Sequence, residues 1–139
     1  MSPYIGKRVR DVMTPKDKLV TLPPSSTIRD AAIKMMEKNV GSVLITDGDT
    51  LLGIFTERDI VKCVAEKTSM DEELEKVMTR DLITIAVDKP LSKAAYLMSE
   101  NNIRHLPVVD NENKLMGILS ARDIARFYAE VVESVDYRE

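Results

Sequence analysis

The sequence predicts an α/β protein built from two β-α-β-β-α copies packed about a pseudo-twofold axis. Three observations carry this: a long internal repetition, apolar runs whose period switches between strand and helix within each copy, and Pro/Gly/Asp punctuation at matching places. Val12-Met13-Thr14 returns as Val77-Met78-Thr79, 65 residues later. Leu19-Val20-Thr21 matches Leu82-Ile83-Thr84, Ala31-Ala32 matches Ala94-Ala95, and Asp47 matches Asp110, each at a spacing of 63. Gly53-Ile54 and Gly117-Ile118 are 64 apart, as are Arg58-Asp59-Ile60 and Arg122-Asp123-Ile124. The drift falls where short loops, Asp47-Gly48-Asp49 and Asn111-Glu112-Asn113, can absorb a residue. The copies join near Thr68 to Asp71, so we assign residues 1–68 to the first repeat and 69–139 to the second. A unit this short cannot easily bury its own apolar surface, which is why the two should pack together.

Each element then follows in order. Leu19 to Leu22 is a short strand-like run stopped by Pro23-Pro24. Thr27 is placed to cap a helix, with Asp30 three residues on, and Ile28, Ala31, Ala32, Met35 and Met36 follow the spacing of a buried helical face. Leu91, Ala94, Ala95 and Met98 repeat that face. Ser42 to Thr46 and Leu51 to Phe55 flank a turn and read as a hairpin, matched by Leu106 to Val109 and Leu115 to Leu119. A second helix begins near Glu57 in the first copy and near Ala121 in the second. Met35, Met36 and Met98 are expected to fill the core, and Cys63 to be a small core residue.

The length, 139 residues, suffices to bury roughly 68% of the unfolded surface. Twenty basic against 23 acidic side chains give a net charge of −3, with no general attraction to nucleic acid or anionic membrane. Only six aromatic residues are present, and none lies in an RNA-binding motif. The longest apolar stretches, such as Val43-Leu44-Ile45, are far short of the ~20 residues of a membrane span. Met1-Ser2-Pro3-Tyr4 has no apolar signal region, and the single cysteine suits a reducing compartment, so the expected location is cytoplasmic. One histidine and one cysteine exclude a His-His zinc site, a Cys-His nucleophilic pair or a cysteine-rich metal site within one chain. The five glycines form neither a phosphate loop nor a dinucleotide fingerprint. The expectation is a protein that is not an enzyme, with no catalytic cofactor and no metal.

Val-Met-Thr opens each copy. The second also carries Ile103-Arg104-His105-Leu106-Pro107-Val108-Val109-Asp110, and the copies end in Gly53-Ile54-Phe55-Thr56-Glu57-Arg58-Asp59-Ile60 and Gly117-Ile118-Leu119-Ser120-Ala121-Arg122-Asp123-Ile124. In this order, and duplicated, these segments resemble the tandem cystathionine-beta-synthase (CBS) domain pair, or Bateman module, of the stand-alone prokaryotic type. The resemblance runs from roughly Val9 to Phe127, and the expectation is that no fused enzyme or transporter domain accompanies it. It implies a regulatory sensor that binds an adenosyl ligand (AMP, ADP, ATP or S-adenosylmethionine) in clefts between the repeats and signals to a partner protein. The alternative is a bridging module without a ligand.

The chemistry that the resemblance implies centres on Thr56-x-x-Asp59 and Ser120-x-x-Asp123. Each places a hydroxyl and a carboxylate across the first turn of a helix, where free N–H groups and the dipole favour a phosphate. The carboxylate can accept from both ribose hydroxyls. Ser/Thr-x-x-Asp is equally a capping box, but Arg58 and Arg122 have no use in a cap and a clear use beside a phosphate. The family's crosswise arrangement implies that Thr79, Ile83, Ile103 and Arg104 face Ile54, Thr56, Arg58 and Asp59, with His105 and Pro107 nearby. A second group joins Thr14, Val20 and Val40 to Ile118, Ser120, Arg122 and Asp123. His105 has a plainer alternative, as one of a strand-edge pair half-buried beside Leu106 and Pro107. The first copy has Gly41 and Ser42 where the second has Arg104 and His105, so the second group has fewer cations and is expected to bind more weakly.

The terminal helix carries apolar residues at Ile124, Tyr128, Val131 and Val135, with Ala125, Ala129 and Val132 beside them. This stripe has no evident partner within its repeat, and CBS pairs commonly dimerise through such helices, so a homodimer is expected. The alternative folds the helix back on Tyr4-Ile5.

Overall fold

A computed structural model describes residues 6–135, with the side chains of Ser134 and Val135 outside the described set. Along the chain come α1 (Val9–Val12), β1 (Thr14–Pro15), a 3-10 turn (Lys16–Lys18), β2 (Thr21–Leu22), α2 (Ile28–Lys38), β3 (Ser42–Asp47), β4 (Thr50–Thr56) and α3 (Glu57–Ala65). The second half has α4 (Leu74–Val77), β5 (Ile85–Ala86), α5 (Leu91–Asn101), β6 (His105–Val109), β7 (Leu115–Ser120) and α6 (Ala121–Val135). The β-α-β-β-α order occurs twice, as the sequence predicts, with α1, β1 and the 3-10 turn ahead of the first copy and α4 ahead of the second. The first strand is shorter than the run Leu19 to Leu22 suggests: only Thr21 and Leu22 pair.

Two compact units result, residues 18–82 and residues 1–17 with 83–139. In the first, β2 pairs parallel with β3, and β3 pairs antiparallel with β4. The parallel pair needs a crossover, which α2 supplies. Thr27 caps that helix as expected: its hydroxyl accepts from Asp30 N–H at 3.1 Å, and Asp30 accepts from Thr27 N–H at 2.9 Å. Asn39, in the left-handed region at φ 54°, ends it, and Asn102 at φ 52° ends α5. The core of this unit gathers Ile28, Ala31, Met35, Val43, Ile45, Phe55, Cys63, Leu74 and Met78.

In the other unit the strand order is β1-β7-β6-β5. Its core is built from Val9, Ile85, Leu91, Ala94, Met98, Leu106, Val108, Leu119 and Ile124. Here β1, from the start of the first repeat, lines the edge of the second repeat's hairpin, with Thr14 opposite Ile118. The counterpart in residues 18–82 is an antiparallel bridge between Ile54 and Thr79. Each Val-Met-Thr opening is therefore built into the unit that carries the other repeat's hairpin.

This edge arrangement explains Gly53 and Gly117. A Cβ on Gly53 would lie 2.7 Å from Met78 Sδ and 2.9 Å from Thr79 O, and one on Gly117 would lie 2.9 Å from Met13 Sδ. Both strands need a residue without a side chain, so that the methionine and the threonine backbone can lie flat against them.

Two expectations are corrected. Met36 does not fill the core: it is 78% exposed, because the buried face of α2 is Ile28, Ala31 and Met35, and Met36 lies a further 100° round the helix. The terminal-helix stripe is also not unpartnered within its unit, since Ile124 is buried and Phe127 and Tyr128 pack on the same core. Tyr4 and Ile5 lie outside the described residues.

These packing assignments predict unequal costs of truncation. Phe55→Ala should lower the free energy of unfolding by about 3–5 kcal/mol, whereas Met36→Ala should change it by less than about 0.5 kcal/mol. Urea denaturation measures both, and a large loss at Met36 would contradict the exposure of that face.

Candidate functional site

The two Ser/Thr-x-x-Asp turns sit where a hairpin strand passes directly into a helix, β4 into α3 and β7 into α6. At the first, Thr56 has an extended backbone and Asp59 Oδ2 accepts from Thr56 N–H at 2.9 Å and from Thr56 Oγ1 at 3.3 Å. The second turn forms a reciprocal box as the first does: Ser120 N–H donates to Asp123 Oδ2 at 2.9 Å, and Asp123 N–H donates to Ser120 Oγ at 3.0 Å. The capping alternative is thus realised in both copies, yet it uses one oxygen of each carboxylate. Asp59 Oδ1 accepts from the Thr79 hydroxyl at 3.4 Å. Asp123 Oδ1 accepts no hydrogen bond among the described residues. A second acceptor oxygen therefore remains at each helix start, and capping and ligand binding are compatible at a single aspartate.

The first helical amides are tied to the residue that leads into the hairpin's first strand. Glu57 N–H donates to Gly41 O at 3.1 Å, and Ala121 N–H donates to Arg104 O at 2.8 Å. His105 lies opposite Ser120 in the β6–β7 register, as Ser42 lies opposite Thr56. Within its own unit, the Arg104-His105 pair thus adjoins the Ser120 turn. His105 is half-buried, Arg104 exposed, and Pro107 buried within β6.

Residues 18–82 bring together Ile54, Thr56, Asp59 and Thr79 around one turn, with Arg58 exposed on the same turn, and also contain Val20 and Val40. The other unit brings together Thr14, Ile118, Ser120, Arg122 and Asp123, and also contains Ile83, Ile103, Arg104, His105 and Pro107. Sequence reasoning missed the role of Gly53 and Gly117 in admitting the threonine segments. The signal was there, in two methionine-threonine openings and two strand glycines at nearly equal offsets. Among the described residues no cluster of His, Cys, Asp or Glu could hold a metal ion, and no helix is long and apolar enough to cross a membrane.

A family model for the CBS domain matches residues 9–66 and again 74–130. The chain belongs to the CBS domain family. As a CBS pair it is similar to homoserine O-acetyltransferase from Methanococcoides burtonii, 40% identical over 119 residues, which cover 85% of this chain but 23% of that enzyme. Its structure resembles the CBS domain pair of protein MJ0100 in complex with 5'-methylthioadenosine and S-adenosyl-L-methionine, with TM-score 0.80 and 31% identity over 89% of this chain and 97% of that one. It also resembles the CBS domain protein PAE2072 from Pyrobaculum aerophilum complexed with AMP, with TM-score 0.79 and 28% identity over 91% of this chain and 98% of that one.

One turn beyond Asp59 in this CBS pair, Cys63 is buried, as expected of a core residue. Burial pushes its thiol above the ordinary range, the nearby carboxylates of Asp59 and then Glu66 push the same way, and Lys62 opposes them. A raised folded value leaves less thiolate at pH 8 than in an ordinary thiol, so Cys63 should react slowly with a disulfide reagent in the native protein and rapidly in urea. The sign for stability follows: as pH rises past the unfolded thiol's value of about 8.5, the unfolded state ionises first and this contribution is lost. Rapid native labelling at pH 8 would contradict the burial.

Proposed function

We propose that this CBS pair is a regulatory sensor of an adenosyl ligand, AMP or S-adenosylmethionine among them, and that it passes the bound state to a partner protein. The observation that carries this reading is the carboxylate oxygen at each aspartate that the cap does not use: Asp123 Oδ1 accepts nothing among the described residues, and Asp59 Oδ1 accepts one long contact from Thr79. A ribose presents two adjacent hydroxyls, and an outward carboxylate oxygen at a helix start is a suitable acceptor for them. The phosphate, or the sulfonium and its amino acid, then lies toward the remaining amides of the first turn and the guanidinium of Arg58 or Arg122. The complexes of MJ0100 and PAE2072 support the reading by similarity. The activity carries no catalytic step, and the setting we propose for it is the cytoplasm.

A thermal-shift panel tests this directly. At a hundredfold excess over Kd, the right ligand should stabilise the fold by about 2.7 kcal/mol, or roughly 9 °C. Guanosine and cytidine analogues should shift it less. Asp59→Ala together with Asp123→Ala should abolish the shift. If no adenosyl compound moves the midpoint at millimolar concentration, the bridging-module reading replaces this one.

We further propose that the sensor works as a homodimer formed through its helices. Val61 and Val64 on α3 are 68% and 61% exposed, and Val132 on α6 is also exposed. Light scattering should give twice 15.6 kDa at tens of micromolar. Val64→Glu should yield a folded monomer, because the glutamate is solvated in the free protomer and buried in the pair. A wild-type monomer, or a Val64→Glu dimer, would contradict this.

A further inference from the structure

The two copies of the Ser/Thr-x-x-Asp turn are not in the same state. Asp59 carries three donors: Thr56 N–H and Thr56 Oγ1 on Oδ2, and the Thr79 hydroxyl on Oδ1. Asp123 carries one, Ser120 N–H on Oδ2. Ser120 Oγ accepts from Asp123 N–H, which leaves its hydroxyl proton available to a ligand, while the Thr56 hydroxyl proton is turned to Asp59. Thr14, the counterpart of Thr79, makes no side-chain hydrogen bond among the described residues. One turn is closed on itself, and the other is open.

We propose that Thr79 acts as an internal occupant of the ribose-binding oxygen of Asp59, so that the two half-sites fill in order, Asp123 first and Asp59 second. This rests on the ribose-binding reading above. It reverses the order that the charge pattern of the sequence suggests. A vicinal diol arriving at Asp59 competes with the Thr79 hydroxyl for Oδ1, whereas the diol arriving at Asp123 meets no protein donor on that oxygen among the described residues. The hydroxyl of Thr79 is held in place by its backbone: Ile54 N–H donates to Thr79 O at 3.0 Å, and Thr79 N–H donates to Ile54 O at 2.9 Å. The segment is therefore held in place, and a ligand frees Oδ1 by turning the Thr79 side chain about χ1. In the closed unit, occupancy breaks the contact to Thr79 on the segment that leads to the second repeat. The second binding event is the one that reports on that segment.

Calorimetric titration of the full chain with AMP tests the order. Wild type should show a tighter and a weaker phase. Asp123→Ala should remove the tighter phase, and Asp59→Ala the weaker one. In the Asp123→Ala background, Thr79→Val should tighten the remaining site about two- to fivefold, the worth of one weak hydroxyl–carboxylate bond. Thr79→Ser keeps the hydroxyl and should not gain that affinity. A gain is a change that mere structural damage does not produce. Thr79→Ala provides the same reading should the valine lower the unfolding midpoint. Weaker or unchanged binding by the hydroxyl-free variants overturns the proposal, as does loss of the tighter phase in Asp59→Ala. Absence of AMP binding by wild type overturns it together with the ribose-binding reading, whereas normal binding with no effect at Thr79 overturns it alone.

Discussion

Two backbone hydrogen bonds between Ile54 and Thr79, 3.0 and 2.9 Å long, pin the opening of the second repeat to the closing strand of the first repeat's hairpin. The corresponding contact in the other unit sets Thr14 opposite Ile118. Much else depends on this edge pairing. It requires glycine at 53 and 117, because a side chain there would strike Met78 or Met13 and the threonine backbone. It buries Met78 in the core of residues 18–82. It also brings the Thr79 hydroxyl to a carboxylate 20 positions earlier in the chain. Sheet edge, core and candidate site are thus coupled through one short segment in each unit.

The aspartates show how a capping role leaves room at one group for the binding role proposed for it. A capping interaction is worth about 0.5–2 kcal/mol and needs a single acceptor oxygen pointing at the helix start. Ribose recognition needs an acceptor pointing outward. A carboxylate has two oxygens with about four lone-pair directions, so a box built with Asp meets both demands. Thr27 and Asp30 form the same reciprocal box on α2. The motif alone therefore does not mark a ligand site; what sets the turns at Asp59 and Asp123 apart is their position at the junction of the hairpin and the second helix.

The duplicated order of elements was legible in the sequence because repetition and periodicity are local signals. The Thr27 cap, both hairpins and the helix starts at Glu57 and Ala121 all form where the pattern places them. Short-range patterns fall short where tertiary contacts decide. Met36 satisfies a helical spacing but lies at the margin of the apolar stripe, and only the width of the surface beneath α2 determines that it stays in solvent. Ile124, Phe127 and Tyr128 look unpartnered until α6 folds onto its own unit's core. The exchange of Val-Met-Thr openings is a long-range pairing of two or three residues, too short to leave a periodic trace. The unequal states of Asp59 and Asp123 depend on the Thr79 hydroxyl reaching Asp59 from 20 positions away, which the near-identical motifs do not encode.

The central claim is that the turns at Asp59 and Asp123 hold the ribose of an adenosyl ligand. Proton–nitrogen correlation spectra recorded during a titration with AMP report on it most directly, because the amides of Thr56 and Ser120 donate to these carboxylates. The account predicts that those two amides, with the Thr79 amide beside them, shift most strongly and saturate with the ligand. Saturable shifts confined to residues remote from both turns, with Thr56 and Ser120 unmoved, would contradict it.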